Sequence, residues 1–305
     1  MQTFQHPRQM REHLDALRHQ GHTIALVPTM GALHEGHLRL VDEAARHGDT
    51  VLVSIFVNPT QFGPNEDFSR YPRDLESDRA KLQQRGAHLI FAPTPELMYP
   101  EGAATRVCVQ HLTAHLCGPL RPGHFDGVAT VVTQLFHIAG PCTAIFGQKD
   151  FQQLAVIRRL VCDLHMPVHI VAHPTVRDSD GLALSSRNAY LSPDERQRAL
   201  CIPAALQLVH DAFHSGIRTP ERLTQCAASH IAPRVDTVDY ISLVCPDTLA
   251  PLRDDIPPHH SALLAVAVRI GATRLIDNIL LNTAPSPVFP RSAPNTKSPR
   301  PTSPC

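Results

Sequence analysis

Two histidines three residues apart, His34 and His37, lie in the stretch Pro28-Thr29-Met30-Gly31-Ala32-Leu33-His34-Glu35-Gly36-His37. The apolar run before it, residues 23–27, is typical of a buried strand, and the apolar spacing over residues 38–45 is typical of a helix. A glycine-containing turn between strand and helix brings backbone N–H groups and the positive helix end to one point, where they can bind an anion. With two imidazoles on one helix face, the stretch predicts a site for nucleotide phosphates.

Two other interpretations of these histidines stay open on the local sequence. In a chain with 20 histidines the pair could simply lie on the surface. A zinc site is the second alternative, but His-x-x-His differs from the His-x-x-x-His with an internal Glu that metalloproteases use. The sequence marks out no third ligand, so we predict no zinc site.

Amide side chains follow the second predicted strand, residues 50–57. Asn58 and Gln61 lie in Phe56-Val57-Asn58-Pro59-Thr60-Gln61-Phe62. An amide donates and accepts hydrogen bonds without carrying charge, which suits a ligand with hydroxyls and a carboxylate. The alternative is that both residues only form the turn around Pro59.

A lysine and a carboxylate stand between the predicted strand 143–146 and the next helix, in Gly147-Gln148-Lys149-Asp150-Phe151-Gln152-Gln153. Asp150 is predicted to cap the helix. A lysine at a helix N-terminus opposes the helix dipole, so a bound anion explains Lys149 better than local structure does.

Two further loops combine groups that could bind a ligand. Gly181-Leu182-Ala183-Leu184-Ser185-Ser186-Arg187-Asn188 could close over a triphosphate or could be a polar linker. Arg121-Pro122-Gly123-His124-Phe125-Asp126-Gly127 is interpreted as a functional loop or an elaborate turn.

These segments are connected by alternating strand and helix patterns. Strand patterns occupy residues 23–27, 50–57, 89–92, 143–146 and 168–171, with helical patterns at 74–85, 125–138 and 150–164. This order predicts an α/β fold, with a Rossmann-like doubly wound parallel sheet in a domain over residues 1–175. The polar segments follow strands, which is where ligands bind in such sheets.

The pattern changes after residue 177. Helical segments at 193–215 and 220–232, then strands at 238–244, 262–270 and 274–280, predict a smaller α+β lid domain over residues 176–282. Residues 283–305 contain seven prolines and little apolar content, which predicts a disordered tail.

Composition excludes several classes of protein. The hydrophobic fraction of 43% supports sizeable cores, and a net charge of zero gives no footprint for nucleic acid. The apolar runs are too short to span a bilayer, and the N-terminus lacks the features of a secretory signal. Eight scattered cysteines without a Cys-x-x-Cys pair are typical of reduced thiols, most of them buried. We expect a cytoplasmic protein without nucleic acid or membrane partners.

Taken together, the motifs resemble the pantothenate synthetase (pantoate–β-alanine ligase) family over about residues 1–282. They are PTMGALHEGH (28–37), SIFVNPTQF (54–62), YPR (71–73), RPGHFDGV (121–128), FGQKDFQQL (146–154) and DGLALSSRN (180–188). HEGH corresponds to the HIGH motif (His-x-Gly-His) of the nucleotidyltransferase superfamily that includes class I aminoacyl-tRNA synthetases. LSSRN takes the place of that superfamily's lysine-rich loop. Gln148 departs from several relatives, which have Glu, and the tail lies outside the family pattern.

The resemblance implies condensation of (R)-pantoate with β-alanine to pantothenate, a step toward coenzyme A, using ATP and Mg²⁺. It implies a pantoyl adenylate, release of pyrophosphate and AMP, and a homodimer formed through the first domain. His37, His34 and Lys149 would be catalytic, with His37 as the acid for the leaving pyrophosphate. Gln61, Gln153 and Asn58 would bind pantoate, and Gln61 would also bind β-alanine. ATP would contact Met30, Gly31, Ala32, Leu33, His34, Glu35, Gly36, His37, Gly147, Gln148, Lys149, Asp150, Val176, Leu184, Ser185, Ser186 and Arg187.

Two other functions remain open at this level. One is a nucleotidyltransferase that stops after adenylylation or cytidylylation, and the other is a non-catalytic nucleotide-binding module.

Overall fold

The fold is that of a computed structural model, which describes residues 1–64, 66–257 and 259–282. Its strands are β1 (Gln2–Phe4), β2 (Ile24–Thr29), β3 (Thr50–Ile55), β4 (Leu89–Phe91), β5 (Cys142–Gly147), β6 (Val168–His173), β7 (Thr237–Val244), β8 (Ala262–Ile270) and β9 (Thr273–Leu281). Its helices are α1 (Pro7–His19), α2 (Glu35–Ala44), α3 (Leu75–Gln84), α4 (Pro95–Met98), α5 (His124–Ala139), α6 (Phe151–Asp163), α7 (Pro193–Ala199), α8 (Cys201–His214) and α9 (Pro220–Ile231). The predicted disordered tail, 283–305, lies outside the described residues.

Strands β1 to β6 form one parallel sheet in the order β1-β4-β3-β2-β5-β6. Ala25 and Val27 of β2 pack with α2 and α3 on one face, while Leu26 packs with α1, α5 and α6 on the other. Cover on both faces explains why the strands are continuously apolar. The predicted α/β class with a doubly wound parallel sheet is confirmed.

The site is positioned by the topology of this sheet. The chain leaves β2 toward β3 on one side and later returns to β5 on the other. The carboxyl ends of β3, β2 and β5 therefore lie side by side where the strand order reverses, which is the usual ligand-binding point of such sheets.

Strands β7, β8 and β9 form an antiparallel sheet of their own. Leu264 and Val266 of β8 pack with α8 and α9. Leu263 and Ala265, on the opposite face, belong to the hydrophobic core of the parallel sheet. The smaller α+β unit is thus present, while the domain limits 1–175 and 176–282 stay predictions.

Some sequence-based expectations were wrong. The helical segment predicted over 193–215 is two helices with Leu200 between them. Pro203 has no N–H and its ring would collide with the carbonyl four residues earlier, so it is accommodated in the first turn of α8 and the helix before it ends at Ala199. Sequence analysis also did not anticipate β1, α1 and α4.

The cysteines are less buried than expected. Among the described residues Cys117 and Cys201 are buried, Cys108 and Cys162 are exposed, and Cys142, Cys226 and Cys245 are intermediate. All seven are free thiols. Across the described part of the chain, no helix has the length and apolar character needed to cross a membrane.

Candidate active site

The turn between β2 and α2, residues 30–37, is called the histidine turn. Gly31 and Ala32 have positive φ values of 81° and 51°. The backbone N–H groups of Ala32 and Leu33 donate to the two carboxylate oxygens of Asp78 at 2.9 and 2.7 Å. A Cβ at Gly31 would lie 3.0 Å from the same carboxylate, so glycine leaves room for this contact.

His34 and His37 form a reciprocal cap at the start of α2. His34 Nδ1 accepts from the N–H of Gly36 at 3.1 Å, and His37 Nδ1 accepts from the N–H of His34 at 3.4 Å. Each neutral ring then carries its proton on Nε2. The ring centroids lie 4.1 Å apart, so the turn holds two Nε2–H donors side by side.

The electrostatic surroundings keep both rings neutral. Burial, and then the charge of Lys149, lowers the pKa of His34 to about 4. Burial, and then His34 and Lys149, lowers the pKa of His37 to about 3. At neutral pH both residues are therefore hydrogen-bond donors rather than cations.

Of the two amide residues after β3, Asn58 lies deeper in the protein than Gln61. Asn58 is 1% exposed, and its Oδ1 accepts from Tyr99 Oη at 2.7 Å and from Thr60. Its Nδ2 donates to Gln61 Oε1 and to the carbonyl of Gly127, both at 3.1 Å. Asn58 thus fixes the oxygen of Gln61, whose Nε2 lies 3.1 Å from Met30 Sδ.

Lys149 lies in a 3₁₀ turn, residues 148–150, directly after β5. Asn278 of β9 donates to the carbonyls of Gln148 and Lys149 at 3.0 and 2.8 Å, which anchors the turn to the second sheet. Asp150 is the N-cap residue of α6, as predicted, but its side chain makes no capping hydrogen bond with any described residue. Its carboxylate lies 3.9 Å from Lys149 Nζ.

Residues 184–187 are called the serine–arginine loop. The N–H of Leu184 donates to the carbonyl of Val176 at 3.0 Å. Arg187 pairs with Asp67 at 2.9 Å, and Ser186 Oγ lies 3.4 Å from Tyr71 Oη. A Cβ at Gly36 would lie 3.5 Å from that of Leu184, so this loop lies against the start of α2.

A cavity of about 990 Å³ lies beside the 3₁₀ turn of Lys149 and the serine–arginine loop. Lys149, Asp150, Ser185 and Arg187 line it, together with Arg121 and His124. A smaller cavity of about 60 Å³ is lined by Arg121, His124, Lys149, Asp150 and Gln153. The histidine turn, Asn58 and Gln61 line neither cavity, although the charge of Lys149 acts on both histidines.

Sequence analysis missed the residues that support the site from behind. Asp78 holds the histidine turn, and Lys81 Nζ donates to the carbonyl of Leu33 at 2.8 Å. Glu66 and Asp67 pair with Arg121 and Arg187. Charged residues on a helix or polar loop are usually solvated, so nothing in the sequence singled these out.

Comparison with known proteins gives a consistent result. The family described as Pantoate-beta-alanine ligase matches residues 2–280. Pantothenate synthetase of Myxococcus xanthus is 54% identical over 266 residues, which cover 87% of this chain and 91% of that protein. A crystal structure of pantothenate synthetase from Thermus thermophilus gives a TM-score of 0.86 at 46% identity, covering 93% of this chain and 100% of that one.

A second solved structure was determined with ligands. Pantoate-beta-alanine ligase from Francisella tularensis, complexed with beta-gamma ATP and β-alanine, gives a TM-score of 0.76 at 35% identity. The match covers 94% of this chain and 100% of that chain.

Proposed function

The chain belongs to the pantoate–β-alanine ligase family, and we propose that it uses ATP to join (R)-pantoate to β-alanine through a pantoyl adenylate. Pyrophosphate leaves in the first step and AMP in the second. One observation carries the proposal. At the carboxyl ends of neighbouring parallel strands, the charge of Lys149 acts on two neutral histidine donors, the serine–arginine loop lies against the start of α2, and the uncharged amide of Gln61 lies beside Met30 of the histidine turn.

The first step needs no general base. Pantoate's carboxylate is already ionised at neutral pH and attacks the α-phosphorus of ATP. Catalysis then depends on positioning and on stabilising charge on the phosphates. Lys149 and Arg187 supply positive charge, and Ser185, Ser186 and the rings of His34 and His37 supply neutral donors.

His34 and His37 act first as Nε2–H donors to the triphosphate. With its pKa at about 3, His37 starts the step neutral. Negative phosphate charge favours the imidazolium and opposes the effects of burial and Lys149. His37 therefore donates a hydrogen bond that strengthens as charge develops on the leaving pyrophosphate. We propose that its acid role consists of this hydrogen bond.

The uncharged amides suit pantoate, with its hydroxyls and carboxylate. Asn58 orients Gln61 by holding its Oε1, which leaves Nε2 as the donor to the substrate. We propose that Asn58 acts through Gln61 and that Gln61 and Gln153 contact pantoate directly. Neutral donors orient the carboxylate without the strong ion pair that would weaken it as a nucleophile.

Mg²⁺ fits the donor set of the site. No group of three potential metal-ligating side chains occurs among residues 1–64, 66–257 and 259–282. Mg²⁺ is usually held by substrate phosphates with one or two carboxylates, and Asp150 lines the cavity beside Lys149. When bound, Mg²⁺ would neutralise charge on the phosphates of ATP.

In the second step the amine of β-alanine attacks the acyl carbon and AMP leaves. The adenylate is prone to hydrolysis, so the site has to exclude water while it exists. We propose that residues 176–282 act as a lid carrying the serine–arginine loop. We also propose a homodimer through residues 1–175, which light scattering at several protein concentrations would test.

A two-stage assay tests the function. We expect pyrophosphate release from ATP that requires pantoate, with AMP appearing only after β-alanine is added. Transfer of the nucleotide to another acceptor, without amide formation, would favour a nucleotidyltransferase. ATP binding without pyrophosphate release would favour a non-catalytic module.

Gln61→Ala separates the substrates. The affinity for ATP should change little, whereas pantoate should bind more weakly by about 1–3 kcal/mol, because its polar group loses a partner in a buried site. Calorimetry measures both, with exposed Gln110→Ala as the control. Loss of ATP affinity with intact pantoate affinity would place Gln61 on the nucleotide side.

A further inference from the structure

Arg121 holds a carboxylate in the wall of the large cavity. Its Nε and Nη2 donate to the two oxygens of Glu66 at 2.6 and 2.5 Å. This bidentate arrangement is how guanidinium groups recognise carboxylates. The side chains are 18% and 25% exposed, so solvent reaches the pair from the cavity. The mechanism described above gives Arg121 no role.

The remaining donors of Arg121 are fixed by the neighbouring amide segment. His124 Nδ1 lies 2.7 Å from the carbonyl of Gln61, which can only accept, so the ring carries its proton on Nδ1. His124 Nε2 then accepts from Arg121 Nη1 at 2.9 Å. Burial, and then the charge of Arg121, lowers the pKa of His124 to about 4, which keeps this acceptor free of a proton at neutral pH. The guanidinium is thereby oriented with its Nε–Nη2 edge toward Glu66.

The position of α5 is equally constrained. A Cβ on Gly127 would lie 2.4 Å from the carbonyl of Thr60, so only glycine allows the first turn of α5 to pack against residues 58–61. Arg121 and His124 are held next to Gln61 by this packing. The two residues also share the small cavity with Gln153 and Lys149.

We propose that Arg121 binds the carboxylate of β-alanine, and that Glu66 occupies the guanidinium until β-alanine replaces it. The inference rests on the proposed ligase function. β-Alanine carries its carboxylate two methylene groups from the attacking amine. Gln61 is assigned to both β-alanine and pantoate. A carboxylate site beside Gln61 therefore suits the length of β-alanine.

The chemistry of the two substrate carboxylates favours this assignment. Pantoate's carboxylate is the nucleophile of the first step, and a bidentate ion pair would stabilise its ground state and slow the attack. The carboxylate of β-alanine passes unchanged into the product. A strong ion pair there can hold the substrate without cost to the reacting group.

Phosphate is the other anion that Arg121 could take. Lys149 and Arg187, which also line the large cavity, already provide cations for the triphosphate. Burial acts to raise the pKa of Glu66, but the hydrogen bonds and charge of Arg121 lower it on balance, so Glu66 is ionised at neutral pH.

The test compares two amines as second substrates: β-alanine and 3-aminopropanamide, its uncharged amide. Wild type should prefer β-alanine in kcat/KM. Arg121→Met, which keeps volume and removes charge, should lose kcat/KM for β-alanine by roughly 10- to 150-fold, the range for charge-assisted hydrogen bonds. Its kcat/KM for 3-aminopropanamide should stay near wild type, so that the preference collapses.

Pyrophosphate release from pantoate and ATP, without any amine, is measured on the same samples. Arg121→Met should match wild type there, which also shows that the variant is folded. Arg70→Met, another arginine in the cavity wall, is the control and should keep the preference. Glu66→Gln should have a KM for β-alanine at or below that of wild type, because a competing carboxylate is gone.

Three outcomes would overturn the assignment. They are an equal loss for both amines in Arg121→Met, loss of its pyrophosphate release, and a KM for β-alanine in Glu66→Gln as high as in Arg121→Met. Absence of pantoate-dependent pyrophosphate release in wild type would instead refute the proposed function.

Discussion

The histidine turn and the serine–arginine loop face the same site but are held by different interactions. In the histidine turn, His34, Gly36 and His37 cap one another within four residues, and a buried carboxylate fixes the backbone from behind. The serine–arginine loop depends on partners 115 and 120 residues away in sequence, Tyr71 and Asp67.

This difference has a physical consequence. The short-range caps join groups that are close in sequence, and the residues that form them are partly buried. The ion pair of Arg187 is 32% and 16% exposed, so water and salt weaken it. We infer that the histidine turn is a fixed donor array and that the serine–arginine loop can exchange its own carboxylate partner for phosphate.

The largest expected effect concerns the base of the serine–arginine loop. Arg177 pairs with Asp277 at 2.6 Å, with side chains 5% and 2% exposed, and also donates to the carbonyl of Gly181. Arg177→Ala leaves a buried carboxylate without its guanidinium and should lower the free energy of unfolding by about 3–5 kcal/mol. Denaturant titration measures this.

The matched control is Arg159→Ala, which breaks an exposed ion pair with Asp163. It should cost no more than about 1 kcal/mol. An equal loss in the free energy of unfolding for the two substitutions would mean that the serine–arginine loop does not depend on the buried ion pair at its base.

His37→Ala tests the fixed donor array. Removing a donor aimed at transition-state charge should slow adenylate formation by about 10²–10³-fold, or roughly 2.7–4 kcal/mol. His37→Asn retains an acceptor close to the position of Nδ1 and should recover stability but not rate. Single-turnover pyrophosphate release measures the rate, and thermal unfolding measures the stability. The control is His137→Ala, at an exposed position on α5. A turnover within a few-fold of wild type would remove His37 from the mechanism.

Asp78→Asn tests the support behind the histidine turn. An amide can accept only one of the two N–H bonds and places a donor against the other, which should cost about 1–3 kcal/mol of stability. Adenylate formation should fall as well, since the turn loses its anchor. Glu76→Gln, exposed on the same helix, is expected to change neither quantity. A variant as stable and as active as wild type would contradict the anchoring role.

Stability should fall as pH drops from about 6.5 toward 4. Burial lowers the pKa values of His34 and His124 to about 4 and of His37 to about 3 in the folded state. The unfolded chain therefore binds more protons in this range, and stability rises with pH. Each group contributes at most about 1.4 kcal/mol per pH unit. Urea titrations at several pH values give the free energy of unfolding as a function of pH. The slope of this dependence should differ between wild type and His37→Asn, and identical slopes would show that His37 is not buried as a neutral ring.

The smallest effect is expected for Asp67→Asn. Because the pair with Arg187 is partly exposed, stability should change by less than about 1 kcal/mol. The KM for ATP should stay the same or fall, since Arg187 no longer has a competing carboxylate. Steady-state kinetics at low and high salt measure this. A tenfold increase in the KM would show that Asp67 positions Arg187 for ATP rather than competing with it.

Much of the fold could be predicted from the sequence because the relevant physics is local. Continuous apolar runs such as residues 50–55 predict strands buried on both faces, and the glycine turn before Glu35 predicts the start of a helix. The polar segments around Gln61 and Lys149 were placed correctly at strand ends, because in a parallel sheet the chain order of strands and helices already determines that edge.

Only the tertiary structure decided what holds these groups in place. Asp78, Asn278 and Glu66 contact the histidine turn, Lys149 and Arg121 across long separations in sequence. Asn58 supports Gln61 for the same reason. Its amide oxygen accepts from Tyr99 and its amide nitrogen donates to the carbonyl of Gly127, both distant in sequence. Periodicity records which face of an element is buried, whereas the partner of a single charged or amide group depends on which elements become neighbours, and no local pattern encodes that.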